Sequence, residues 1–229
     1  MASKADTEQN SAMSAGPIIP TATSGSETER VRRIYDRVAS RYDGVIAWSE
    51  KIFFGNGRAW VCPQAGGAVL EIAFGTGRNL PYYPRDVRLT GIELSREMLA
   101  IARRRAQRLG HDVDLHLGDA QSLPFPDQCF DTVVCTLALC TIPDDWQAIA
   151  EASRVLRPGG RLLWLEHVRS PVLLVQAVQR LVDPLAVRIQ GDHLLRTPLD
   201  HLRTLGLKID QMQRSKWGMV ERVSARKPV

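Results

Sequence analysis

The sequence predicts an α/β domain in which a mostly parallel sheet carries helices on both faces. Three observations support this. Short apolar segments alternate with helical patterns; the first strand, within residues 69 to 79, runs into a Gly-x-Gly turn at Gly75 and Gly77; and the next two strands, Val87 to Glu93 and Val113 to Leu117, end at or beside the acidic residues Glu93 and Asp119. Strands alternating with helices form parallel βαβ units. Such sheets bind ligands at the carboxyl ends of their strands.

The elements follow in chain order. Residues 1 to 27 are rich in Ala, Ser, Thr and Gly, lack the basic and apolar regions of a signal peptide, and read as a disordered tail before a domain spanning 28 to 229. Thr28 to Ala47 reads as a helix with a break marked by Gly44, and a helix-prone segment follows the glycine turn. Ser95 is an N-cap for a helix running to Leu109. Phe130 to Thr136 carries no charge after Asp131, as expected of a strand inside a parallel sheet. A helix from Asp144 to Leu156 leads through Arg157-Pro158-Gly159-Gly160 into a fifth strand, Arg161 to Val168. Pro171 to Gln190 is apolar at helical spacing, which implies core contact, with Pro184 ending or kinking the helix. The alternative for this segment is an acceptor lid or a patch that samples a membrane surface. Gly206 to Val229 supplies two further strands, one of them antiparallel.

The glycine turn lets a ligand lie against bare backbone. A dinucleotide fingerprint needs a third glycine where Leu80 stands, so a pyrophosphate cradle is disfavoured. Glu71 before the turn, the two glycines, Glu93 and Asp119 together resemble the class I S-adenosylmethionine-dependent methyltransferases from about Glu29 to the C-terminus. The resemblance implies a Rossmann-like seven-stranded, mostly parallel sheet and S-adenosyl-L-methionine as cofactor. It places Glu71, Ala73, Gly75, Thr76, Gly77 and Asn79 along the methionine and ribose, Glu93 and Leu94 at the ribose hydroxyls, and Asp119 with Ala120 at the adenine. Thr136 and Leu137 border the same site, and Met98 either touches the adenine or packs in the core. Ala73-Phe74 stands where many members carry Gly-Cys or Gly-Ser, giving a bulkier loop.

Tyr35-Asp36-Arg37-Val38-Ala39-Ser40-Arg41-Tyr42-Asp43 resembles the N-terminal lid of quinone and phospholipid methyltransferases, which implies Tyr35 and Tyr42 near the sulfonium, where a cation meets a π face. An amphipathic packing helix is the alternative. The run from Val133 to Cys140, the Leu-Arg-Pro-Gly-Gly turn, Leu165-Glu166-His167-Val168 and Leu181-Val182-Asp183-Pro184 resemble the methyltransferase-like thiol S-methyltransferases. Those relatives are membrane-attached through an N-terminal hydrophobic segment, which this chain lacks.

Composition narrows the partners. The charge of +5 and pI of 9.3 come from scattered arginines without an RNA-binding motif, so nucleic acid is not expected. Cys62, Cys129, Cys135 and Cys140 show no Cys-x-x-Cys spacing and read as reduced thiols, and no metal site is expected. No apolar run approaches the ~20 residues that span a bilayer, so a cytoplasmic enzyme with at most transient membrane-surface contact is expected. The resemblance to the thiol S-methyltransferases implies a small, fairly apolar substrate, foremost a thiol. A quinone C- or O-methyltransferase or phospholipid N-methyltransferase is the alternative, and a non-catalytic S-adenosylmethionine-binding protein the remaining one. His167, at the carboxyl end of the fifth strand, is the candidate general base or else a structural histidine. Cys140, His193 and Arg196 are the candidate substrate contacts.

Overall fold

The computed structural model describes residues 22 to 229; the expected tail lies outside this range up to residue 21. The first helix, α1, spans Ala22–Ser49, so it starts before Thr28 and runs through Gly44 without a break. Residues 22 to 27 therefore belong to the helix and not to a tail. Pairs one turn apart support this exposed start: Glu27 with Arg30, and Arg32 with both Glu29 and Asp36. A π-helical turn, Glu50–Phe54, and a short helix α2, Gly57–Val61, lead into the sheet; neither has a signal in the sequence.

The sheet contains β1 (Ala68–Ile72), β2 (Arg88–Glu93), β3 (Val113–Leu117), β4 (Phe130–Thr136), β5 (Leu156–His167), β6 (Lys208–Ser215) and β7 (Val220–Arg226) in the order β3-β2-β1-β4-β5-β7-β6. The first five run parallel, and β7 pairs antiparallel with both β5 and β6. The order reverses between β1 and β4, which places a crevice beyond their carboxyl ends. Val69, Leu70 and Ile72 of β1 and Val133, Val134 and Cys135 of β4 are buried, consistent with cover on both faces.

Helices α3 (Arg96–Leu109), α4 (Asp145–Val155), α5 (Leu173–Gln190) and α6 (Pro198–Thr204) complete the domain. Ser95 caps α3 as expected, its hydroxyl accepting from Met98 N at 3.1 Å. No α-helix follows the glycine turn: Pro81 and Pro84 leave only a 3-10 turn, Leu80–Tyr82. Strand β5 begins at Leu156, inside the expected helix, and takes in the Arg157–Gly160 turn before its regular pairing with β4 resumes at Arg161. Pro184 neither ends nor divides α5, which continues to a left-handed Gly191. The apolar positions of α5 are not in the core, since Gln179 is its buried residue. Among the described residues, no helix is long and apolar enough to cross a membrane. The four cysteines are free thiols.

Candidate active site

A cleft open to solvent, with about 840 Å³ of empty space when its open mouth is included, lies at the carboxyl ends of β1, β2 and β4. Its floor is the β1 loop, Ala73 to Thr76; one wall is Glu93, Leu94, Ser95 and Met98, and Gly118, Asp119 and Ala120 close the far end. Thr136 to Ala138 and Thr141 to Pro143 form the opposite wall, with Val31, Arg32, Tyr35 and Tyr42 of α1 above.

The loop takes its shape from a left-handed backbone at Ala73 (φ 52°) and Gly75 (φ 60°). Gly75 needs its conformation more than its size, because a Cβ there would meet nothing nearer than 3.9 Å. Gly77 does not line the cavity. Phe74 turns inward over Gly91, where a Cβ would sit 2.5 Å from the ring, so the glycine in β2 accommodates the bulkier loop. Glu93 fastens two segments at once: Oε2 accepts from Gly75 N and Oε1 from Ser95 N, each at 2.8 Å. Burial raises its pKa, and the Ser95 and Gly75 N–H groups offset part of that rise.

Glu71 and Asn79 stand behind the cavity rather than in its wall. Asn79 Nδ2 donates to Glu71 Oε1 and Thr136 Oγ1 at 2.9 Å, and the Tyr83 hydroxyl donates to Glu71 Oε2 at 2.8 Å. Burial lifts the Glu71 pKa to about 8. Arg58 from α2 reaches the cavity and donates to Asn79 Oδ1 (2.6 Å) and Thr136 Oγ1 (2.9 Å), while Glu50 pairs with both Arg58 and Arg78. The two arginines hold the Glu50 pKa down against its burial. Sequence reasoning missed Arg58 and Glu50, which lie in irregular helical turns without a motif.

The Tyr-Asp doublets divide their labour. Tyr35 and Tyr42, two turns apart on α1, meet edge to face with ring centroids 6.1 Å apart and close the cavity. Burial raises both phenol pKa values. The aspartates anchor the helix: Asp36 Oδ1 accepts from Ser95 Oγ at 2.6 Å, and Asp43 accepts from Thr76 Oγ1 at 2.7 Å and pairs with Arg105 of α3. Their repetition at the tyrosine spacing was the available signal for this role.

The acceptor-side candidates are placed differently from expectation. His167 is not in the cavity wall; its Nε2 lies 2.8 Å from Asp192 Oδ1, and these two and Cys140 bring their polar atoms within 4.8 Å of one another. Burial works against the imidazolium, yet Asp192 outweighs it and holds the His167 pKa above its usual value. Arg196 is engaged by Leu139 O (2.8 Å), Pro143 O (3.1 Å) and Asp145 (2.8 Å), so it braces the β4–α4 loop and does not extend into the cavity. The His193 N–H donates to Cys140 O at 2.9 Å, and neither residue lines the cavity. Strand-end position alone could not show these pairings.

The residues fit an adenosylated amino acid. An open backbone turn, a carboxylate with acceptor capacity beyond its two backbone bonds, and a part-buried guanidinium supply partners for a ribose diol and an α-carboxylate. The family described as "Methyltransferase domain" matches residues 70 to 164. A phosphatidylethanolamine N-methyltransferase from Cereibacter sphaeroides is 41% identical over 104 residues, covering 44% of this chain and 51% of that protein. The ubiquinone/menaquinone biosynthesis C-methyltransferase UbiE of Methylobacterium nodulans is 33% identical over 176 residues, 70% of this chain and 67% of its own. The chain spans between about half and two thirds of the length of these relatives. The crystal structure of a putative methyltransferase from Bacillus halodurans superposes with a TM-score of 0.62 at 21% identity, over 71% of this chain and 93% of that one, a likeness of fold.

Proposed function

Because the chain belongs to the class I S-adenosylmethionine-dependent methyltransferases, we propose that it transfers the methyl group of S-adenosylmethionine to a lipid-borne acceptor, of the quinol or aminophospholipid kind. The relatives named for their acceptors favour this over the thiol expected first, and the base expected to serve a thiol, His167, stands outside the cavity wall. The observation that carries the reading is the cavity itself. Polar groups gather at the β1 and β2 ends, whereas Val31, Tyr35, Leu137, Ile142 and Pro143 give the rest of the wall an apolar surface suited to a lipophilic ring or chain.

The bound cofactor supplies an activated methyl group on a sulfonium. The chain's own residues bind, align and exclude water, which is what an in-line displacement needs. Glu93 would accept from the ribose hydroxyls, Asp119 and Ala120 would face the adenine, and Arg58, held by Glu50 and Asn79, would receive the carboxylate. Tyr35 and Tyr42 would cover the sulfonium end and keep water from it. The test is release of S-adenosylhomocysteine by purified protein given phosphatidylethanolamine or a demethylated quinol in detergent micelles, with a small alkyl thiol in parallel. Release with a lipid acceptor supports the reading; release with the thiol alone, or with none of the three, refutes it.

A further inference from the structure

Helix α5 packs on the domain by its polar side. Gln179 accepts from Ser170 N at 2.8 Å and donates to Val168 O and Leu194 O at 3.0 and 3.1 Å, and Asp183 Oδ1 accepts from Leu194 N at 2.7 Å. On the far side, Leu174, Val178, Leu181, Leu185 and Ile189 follow one another at helical spacing and all are exposed, Leu181 by 82%. A surface helix of a water-soluble domain has the reverse arrangement. An uninterrupted apolar stripe of this kind marks a surface that meets something other than water.

Two further observations bear on its partner. The turn between β6 and β7 holds Lys216 and Trp217 at φ 52° and 55°, conformations that bulky side chains rarely adopt, and leaves the indole 70% exposed. This turn is tied to the start of α5, since Trp217 O accepts from Ser170 Oγ at 2.6 Å. The charges along the face are of one sign. Arg180 and Arg188 flank the stripe, Arg169 precedes the helix and Lys216 adjoins the indole, all exposed, while Asp183, the acidic residue of α5, faces inward.

We infer that α5 and the Lys216–Trp217 turn form a docking surface for an anionic lipid bilayer. The stripe enters the acyl boundary, the arginines extend toward lipid phosphates, and the indole sits at headgroup level beside a lysine. A second copy of the chain fits less well, because two such faces would bring their arginines together. The surface adjoins the carboxyl end of β5, the end of the sheet at which the cavity opens. The inference deepens the lipid-acceptor reading, and its test is separate from that one.

The test is flotation of the full chain with phosphatidylcholine vesicles, with and without phosphatidylglycerol. Binding should require the anionic lipid and weaken with salt. Leu181→Glu with Leu185→Glu should lower partitioning about 10²-fold or more, and Arg180→Glu about five-fold, with circular dichroism and S-adenosylhomocysteine affinity unchanged. Wild-type partitioning by the double variant, equal binding to neutral vesicles, or no binding to either would overturn the inference. So would a dimer in light scattering that the double variant dissolves without any flotation, since the face would then be a protein interface. Failure to float with lipid methylation intact in micelles removes the docking surface alone; flotation without methylation of any lipid acceptor removes the acceptor reading alone.

Discussion

Glu93→Ala is the sharpest probe of the cofactor site. An ionised carboxylate has about four lone-pair sites, and Gly75 N and Ser95 N occupy two of them, leaving about two for the ribose hydroxyls. Charge-assisted hydrogen bonds contribute about 1.5–3 kcal/mol each. Losing two should weaken S-adenosylhomocysteine binding by about 3–6 kcal/mol, or roughly 10²- to 10⁴-fold in Kd. The same substitution leaves two buried N–H groups without acceptors, so Tm should also fall by roughly 5–10 °C. Loop collapse and lost ribose contacts are separated by titrating a 2′-deoxy ligand in the calorimeter. If Glu93 holds the diol, the missing hydroxyl weakens binding to the wild type and has little effect in the variant. A penalty of equal size in both proteins, or an unchanged Kd for the natural ligand, would refute the assignment.

Three other outcomes are expected. Ala73→Gly should raise the midpoint of thermal unfolding by a few degrees, because the left-handed backbone at Ala73 costs a residue with a Cβ about 1 kcal/mol; a lower midpoint would mean that the methyl contributes packing. His167→Gln should destabilise the chain by roughly 1–2 kcal/mol in urea melts near pH 5.5, because it replaces the imidazolium beside the part-buried Asp192 with a neutral amide. The raised His167 pKa means its contribution is full below the ordinary value of 6.5 and lost as pH rises through the folded value, and the lowered Asp192 pKa means a contribution present above 3.8 and lost as pH falls through the folded value. The deficit of the variant should therefore shrink at pH 9, with S-adenosylhomocysteine affinity near wild type throughout; a deficit independent of pH would exclude the ion pair as its source. Asp36→Ala with Asp43→Ala should raise the cofactor Kd about ten-fold and speed amide exchange in α1 while α4 stays protected; equal exchange in both helices would show that the aspartates do not hold α1.

Much of the frame was legible because periodicity and turn chemistry act locally. The strand ends at Glu93 and Asp119, the Ser95 cap and the Gly75 turn follow from residues a few positions apart, and the structure places all of them around one cavity. What escaped depends on distant partners. Arg58 is a site residue only because Glu50 and Asn79 hold it there, and Arg196 is a brace only because three acceptors from the β4–α4 region converge on it. Helix α5 misled for a related reason. Its spacing announced an apolar face, but periodicity does not say whether that face turns inward, and here Gln179 and Asp183 turn it outward.

The attachment of α1 bears on the order of events in turnover. Asp36 and Asp43 grip Ser95 and Thr76, and those residues flank the same carboxylate and glycine turn that the proposed ribose occupies. A ligand that quiets these two loops reduces the entropy that α1 must give up to seat itself, and a seated α1 does the same for the ligand. Each therefore favours the other through these loops, in addition to any contact at the cavity-lining tyrosines. The tyrosines complete the acceptor side when α1 is seated, so whatever loosens α1 would leave the acceptor an unfinished wall. Steady-state kinetics should follow a compulsory sequence, nucleoside first and acceptor second, with the spent nucleoside leaving last because its departure and the release of α1 are one step.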